Sequence, residues 1–306
     1  MEDKYGYLIP SSKVILEKGD RDEIIKYIQS EHWIGYQRAV QAITKLEELI
    51  SHPKCHRMPN LLIIGSTNNG KTMIAKKFCM AYPDIKGISD ERFVGLKDTP
   101  VLHIQMPANP DMKRFYAEIM RVLGVPMQST DRLLEFEIEC LRYMKTCNVR
   151  MLIIDEIHNI LTARKSQEQE LLSSLRYIGN DRQIPIVGFG TKDAYLAIRS
   201  DSQLENRFEP FVLPLWEKGT EYSSLLASFE AIMPLREKSN LAAPKIADKI
   251  LAMSEGIIGE IAVIIKKAAI LAWSTAAGIR IESQLLDLIE YSSPSSRRKI
   301  FERGLT

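Results

Sequence analysis

Gly65, Ser66, Thr67, Asn68, Asn69, Gly70, Lys71 and Thr72 spell G-x-x-x-x-G-K-[ST], directly after the apolar run Leu61 to Ile64. Each position suits the holding of a polyphosphate. Gly65 and Gly70 let the backbone wrap closely, and Thr67, Asn68 and Asn69 carry the N–H groups that this wrap aims at phosphate oxygens. Lys71 brings positive charge to the β and γ oxygens, and the Thr72 hydroxyl suits Mg²⁺. The apolar residues Met73, Ile74, Ala75 and Phe78 predict a helix opening at Lys71, which adds the positive end of its dipole. A chance glycine-rich turn would lack this joint spacing, preceding strand and following helix. The chemistry indicated is binding of a nucleoside triphosphate with Mg²⁺.

A second apolar run, Met151 to Asp155, ends in the pair Asp155 and Glu156. At the carboxyl end of a strand beside a phosphate loop, Asp155 is placed to hold Mg²⁺ partly through water. Glu156 is then the base for an attacking water. Such a pair argues for an ATPase of the additional-strand class, because a small-molecule kinase needs no dedicated water activator. Thr191, after the run Ile184 to Gly190, is a candidate sensor of the γ-phosphate; the same hydroxyl also suits an N-cap for the helix from Lys192. Arg207, in Leu204-Glu205-Asn206-Arg207-Phe208, is a candidate arginine finger reaching a neighbouring subunit's nucleotide, with Arg199 and Arg182 as rivals and a surface pairing with Glu205 or Glu209 as the plain alternative. Trp33, Ile34 and Gly35 suit an adenine pocket or, equally, an ordinary apolar staple ahead of a helix.

The elements needed to hold these groups follow from hydrophobic period. Asp20 to Glu31 and Tyr36 to Ile50 read as helices, the second with Ala39, Val40, Ile43, Leu46, Leu49 and Ile50 on one face. Short apolar strands at Leu61, Val101 to Met106, Met151 to Asp155, Ile184 to Gly190 and Phe211 to Leu215 alternate with helices, which predicts a parallel sheet covered on both faces. From Thr220 to Glu290 only amphipathic helices remain, separated near Pro234, Pro244, Gly256, Gly259 and Gly278. The expected organisation is an N-terminal arm (1–19), an α/β nucleotide-binding core (20–216), a helical lid (217–292) and a basic tail (293–306). With 306 residues and 45% hydrophobic content the chain can fill both cores. No run reaches the roughly 18 apolar residues of a membrane helix, and the start lacks a signal-peptide pattern, so a cytoplasmic, nucleoid-associated location is expected. The four cysteines form no C-x-x-C and read as reduced thiols. Lys and Arg number 41 against 39 acids, so any nucleic-acid surface must be a local basic track.

The combined set resembles AAA+ ATPases, and within them the transposition regulators of the TniB/TnsC family. The resembling strings are GSTNNGKT at Gly65, IIDEIHNIL at Ile153, LRYIGN at Leu175, IPIVGFGT at Ile184, DSQLENRFEP at Asp201, MPLREKS at Met233 and SEGIIGEI at Ser254. The resemblance implies an AAA+ P-loop core with a small all-helical lid, and an ATP-dependent, DNA-binding homo-oligomer, ring or helical filament. It also implies partnership with double-stranded DNA, a DDE-type transposase and a TniQ-like target-selection protein. Lys71, Thr72, Asp155, Glu156, Thr191 and Arg207 take the same nucleotide roles by resemblance as by chemistry. Where many AAA+ lids carry G-x-x-R, this chain has Gly259-Glu260-Ile261-Ala262, leaving Lys266 or Lys267 as substitutes.

Subunits of such assemblies present the segment after the second strand to the central axis. Here that points to Lys113 and Arg114, with Thr130 and Arg132, as a backbone-tracking DNA stripe; a solvated helix face explains the first pair equally. The same segment, Met106 to Pro110, lacks the aromatic-glycine loop of a polypeptide unfoldase. An origin-recognition, helicase-loader or signalling AAA+ ATPase shares the core motifs but often appends a further domain, for which this chain ends early. A nucleotide-holding structural scaffold is the reading from a different class. The tail with Arg297, Arg298, Lys299 and Arg303 around Ile300 and Phe301 reads as either a docking segment or a solvated end.

Overall fold

A computed structural model of the chain describes residues 5–86, 96–125, 133–275 and 278–304. These form two compact units, one running from Arg38 to Pro214 and the other combining the residues up to Gln37 with those from Leu215 onward. Among the described residues no helix is long and apolar enough to cross a membrane.

The first unit is built on five strands: β1 (Asn60–Gly65), β2 (Val101–Gln105), β3 (Met151–Asp155), β4 (Ile186–Gly190) and β5 (Phe208–Leu213). They lie in the order β2-β3-β4-β1-β5 and every pairing is parallel. Parallel strands covered on both faces lose the alternation of polar and apolar residues. Accordingly β1, β3 and β4 are buried along their whole lengths. The edge strand β5 differs, with Glu209 and Val212 exposed and Pro210 tolerated because an edge has one side without ladder bonds. It begins at Phe208, earlier than the apolar run at Phe211 suggests, because its register with β1 pairs Asn60 with Phe208. Phe115, Tyr116 and Ile119 from the helix Met112–Val122, Cys140 and Met144 from Leu133–Thr146, and Leu171 and Leu175 from Lys165–Arg182 pack with Leu102, Ile104, Leu152 and Ile154 of the sheet.

In this order β4 stands between the strand feeding the phosphate loop and the strand carrying the acid pair, so an extra strand separates them. The carboxyl ends of β1 and β3 are where an open parallel sheet offers a crevice for ligand.

The second unit is helical: Pro10–Lys18, Arg21–Gln29, Thr220–Ile232, Pro244–Ser254, Ile258–Thr275, Leu285–Leu288 and Pro294–Gly304. The expected core boundary at residue 20 differs from this division. The helix Arg21–Gln29, started by a capping box between Asp20 and Glu23, buries Ile24 and Ile28 in one cluster with Leu226, Phe229, Ile261 and Ile265. Residues 5–19 of the expected arm belong to this unit too: Ser12 donates to the Ile232 carbonyl at 2.7 Å and Ile9 N–H to the Ala231 carbonyl at 2.9 Å. Gly259 lies inside the helix Ile258–Thr275 and does not interrupt it. Gly256 instead lies in the turn between Pro244–Ser254 and Ile258–Thr275: its φ of +72° turns the chain, and a Cβ there would overlap the Trp216 carbonyl oxygen.

Candidate active site

The loop after β1 is shaped by two left-handed residues, Asn68 with φ of 61° and Gly70 with φ of 82°. Gly70 N-caps the helix Lys71–Ala81 and brings no side chain to its first turn. The orphan N–H groups of a helix start therefore remain for an anion. Gly65 permits the loop to close on the edge strand, since a Cβ there would meet the Leu213 Cβ at 3.2 Å. Asn69 fastens that closure by donating from Nδ2 to the carbonyls of Leu213 and Pro214 at 3.0 and 3.1 Å. Lys71 is 5% exposed and folds back, its Nζ donating to the Gly65 and Ser66 carbonyls at 2.9 and 2.8 Å. Burial lowers the pKa of its ammonium from the ordinary 10.5, and the carboxylates of Glu156 and Asp155 oppose that shift. A desolvated cation aimed into a loop of N–H donors is complementary to a polyphosphate.

Thr72 and Asp155 meet across the intervening strand, the hydroxyl donating to Asp155 Oδ2 at 2.8 Å. The other carboxylate oxygen accepts from the Glu156 backbone N–H at 2.9 Å. A hydroxyl and a carboxylate so paired form a set of hard oxygen donors of the kind Mg²⁺ takes with phosphate and water, so these residues fit that ion. Glu156 itself is left-handed, φ 53° and ψ 36°, and caps the 3₁₀ turn Ile157–Thr162. A non-glycine residue in that region carries strain that concentrates at working sites. The turn returns His158 to Glu156, Nε2 lying 3.3 Å from Oε2. It packs this closely on β4 because Gly188 and Gly190 have no side chains: a Cβ at Gly188 would lie 2.9 Å from Ile157 Cδ1, and one at Gly190 would lie 3.2 Å from His158 Nδ1. The residue pattern does not single out His158. The IIDEIHNIL string displays it, but two residues apart on a regular helix would not face each other, and only the left-handed Glu156 brings them together.

The remaining candidates occupy varied settings. Thr191 N-caps the helix Lys192–Arg199, accepting from Asp193 N–H at 3.4 Å. Arg207, ahead of β5, donates from Nη1 to Asn180 Oδ1 at 2.8 Å. Its rivals are engaged elsewhere: Arg199 lies 3.7 Å from Glu205, and Arg182 2.7 Å from Asp181. Trp33, Ile34 and Gly35 belong to the helical unit and Lys71 to the α/β unit; Ile34 is buried in the helical core. Lys113 and Arg114 lie in the first turn of Met112–Val122, where Arg114 pairs with Asp111 at 3.3 Å and Lys113 Nζ stands 5.2 Å from the Phe136 ring centre. Thr130 and Arg132 fall outside the described residues. Both lid lysines are tied within their own unit, Lys266 to the Gln29 and Ser30 carbonyls and Lys267 to that of Glu290. The tail is a helix, Pro294–Gly304, clasped by Arg297 to the buried Glu260 at 2.7 Å.

The family model described as Bacterial TniB protein matches residues 24–218. No curated protein matches the sequence. Among solved structures, the chain is similar to the Aeropyrum pernix ORC1 protein in complex with DNA, at 15% identity over 90% of this chain and 69% of that one, with a TM-score of 0.57. It is similar to Cdc6p from Pyrobaculum aerophilum at 14% identity over 85% and 68% of the two chains, TM-score 0.54. Domain III of the Thermotoga maritima replication initiation protein DnaA aligns over 92% of this chain and 99% of that one, at 16% identity and TM-score 0.52. At these identities the likeness is one of fold, and the fold is that of AAA+ ATPases.

Proposed function

The chain belongs to the TniB family of transposition-associated AAA+ ATPases, and from that premise we propose that it is an Mg²⁺-dependent ATPase that assembles on duplex DNA and couples target selection to a DDE-type transposase. A TniQ-like target-selection protein is the proposed partner on the other side of that coupling. The observation that carries the catalytic part is the Thr72 to Asp155 hydrogen bond of 2.8 Å beside the phosphate loop, with Glu156 next in the chain.

In this reading Lys71 leaves the loop carbonyls for the β and γ phosphate oxygens, exchanging dipoles for full charges. Thr72 and Asp155 would hold magnesium, which supplies charge neutralisation on the phosphates when bound. Glu156 takes a proton from water as its oxygen attacks the γ phosphorus and the β–γ bridging P–O bond breaks, releasing ADP and phosphate. Thr191 would report the γ phosphate, Arg207 would serve a neighbouring copy, and Trp33, Ile34 and Gly35 would wall the adenine.

DNA would be held by Lys113 and Arg114, with Thr130 and Arg132, at one or two phosphates per subunit. Binding is then weak singly and strong in an ATP-linked array. The test measures duplex affinity with and without ATP, across salt, for the wild-type chain and for Lys113→Ala with Arg114→Ala. The variant should bind more weakly, with a salt slope flatter by about one for each DNA phosphate that is no longer neutralised. An unchanged affinity and slope in protein that still assembles would move the DNA surface elsewhere. Absence of ATP binding by the wild-type chain would overturn the whole reading.

A further inference from the structure

A cavity of about 380 Å³ opens between the segment leading into β1 and the segment leading into β5. Arg57 and Arg207 stand in its wall with Ser202, Gln203 and Asn206, and among the described residues no carboxylate lines it. Among the described residues Arg57 has no ion-pair partner, and its side chain is exposed. Arg207 keeps donors beyond the one Asn180 accepts. Burial, and then the like charges of Arg57 and Arg176, press the Arg207 guanidinium below its ordinary pKa; Asp201 opposes this, but it is bound to Arg176 at 3.1 Å. Two guanidinium forks with amide and hydroxyl donors around one polar space suit a phosphate group, which offers several acceptor oxygens.

The phosphate cannot come from the chain's own loop. Arg57 and Arg207 precede Asn60 and Phe208, which are paired at the amino ends of β1 and β5, whereas Lys71 follows Gly65 at the carboxyl end. Six strand residues at about 3.3 Å each put roughly 20 Å between cavity and loop. We propose that this cavity receives the terminal phosphate of a nucleotide held by a second copy of the chain, with Arg57 donating to it alongside Arg207. The proposal rests on the ATPase reading above and adds Arg57, which the known motifs do not contain, as a residue acting across the subunit boundary.

Two measurements test it. Protein carrying Lys71→Ala, whose own loop is disabled, is titrated with inorganic tripolyphosphate; a residual site should remain, and adding Arg57→Ala should weaken it about tenfold or more. No residual site, or one indifferent to Arg57, overturns the proposal. In the second, ATP hydrolysis is followed at rising protein concentration. Arg57→Ala should lower kcat at least about tenfold with KM for ATP within about twofold, because its own loop is intact. Mixing it with Glu156→Gln protein should restore part of the rate, since one interface then joins an intact Arg57 to an intact Glu156, and Arg57→Lys should retain part alone. A wild-type kcat in Arg57→Ala, or loss of duplex DNA affinity with hydrolysis unchanged, overturns it, the latter assigning Arg57 to DNA backbone. Should the wild-type chain fail to hydrolyse ATP, the ATPase reading has failed, and the tripolyphosphate titration alone decides the cavity.

Discussion

Replacing Glu156 by Gln separates binding from turnover. The substitution keeps the side chain's length and removes only its capacity to take a proton. The Asp155 carboxylate keeps its two hydrogen bonds, because one comes from Thr72 and the other from the backbone N–H of residue 156. The Glu156 carboxylate touches His158 at 3.3 Å with 36% of its side chain exposed, so losing that pairing changes stability by no more than about 1 kcal/mol. General-base catalysis contributes about 10² to 10⁴ in rate. At about 1.36 kcal/mol per tenfold, the barrier should rise by roughly 2.7 to 5.4 kcal/mol. Steady-state hydrolysis should therefore fall by about 10² to 10⁴, while ATP affinity, read by titration of a fluorescent nucleotide, stays within about threefold. A kcat within about threefold of wild type would remove Glu156 as the base. Loss of ATP binding would refute the division of labour in which Asp155 and Thr72, and not Glu156, hold the metal.

Lys71→Met should abolish ATP binding and change the pH dependence of folding. Burial lowers the folded-state pKa of Lys71 below 10.5, so between that lowered value and 10.5 the unfolded chain holds a proton the folded chain has released. Across that window wild-type stability should rise relative to Lys71→Met, with a constant gap below it; urea titrations at stepped pH showing the opposite slope would refute the burial argument. Thr72→Val should leave ATP affinity in chelator unchanged and shrink the gain on adding Mg²⁺, because it deletes the hydroxyl 2.8 Å from Asp155; a full Mg²⁺ response would remove Thr72 from the metal set. Gly256→Ala should cost at least about 1–2 kcal/mol from its left-handed backbone, before the Trp216 carbonyl is displaced. A loss below about 0.5 kcal/mol by chemical denaturation would show that this turn relaxes freely.

The phosphate loop was legible in the sequence because it is local. Gly65 to Thr72 encode their own backbone turns, and the flanking apolar residues encode the strand and helix that bracket them, so neighbours along the chain suffice. The acid pair at the end of Met151 to Asp155, and with it the AAA+ fold and the TniB family, were legible for the same reason. The start of β5 at Phe208 was not, because Phe208 to Pro210 carry no apolar run and are recruited by register with Asn60 to Leu62. The helix Arg21–Gln29 has the same amphipathic pattern whichever core it joins, and only packing assigns Ile24 and Ile28 to the helical unit. The pairing of the C-terminal helix with Glu260 through Arg297 joins residues distant in the chain, and the cavity of Arg57 and Arg207 needs two strand starts to be neighbours. Sequence period states which face of an element is apolar, whereas the partner that covers the face is chosen by the free energy of the whole assembly of elements. That choice makes neighbours of residues far apart in the chain, which is why Arg57 beside Arg207 emerged only from the tertiary structure, whereas His158 meets Glu156 through a local left-handed turn that the residue pattern does not announce.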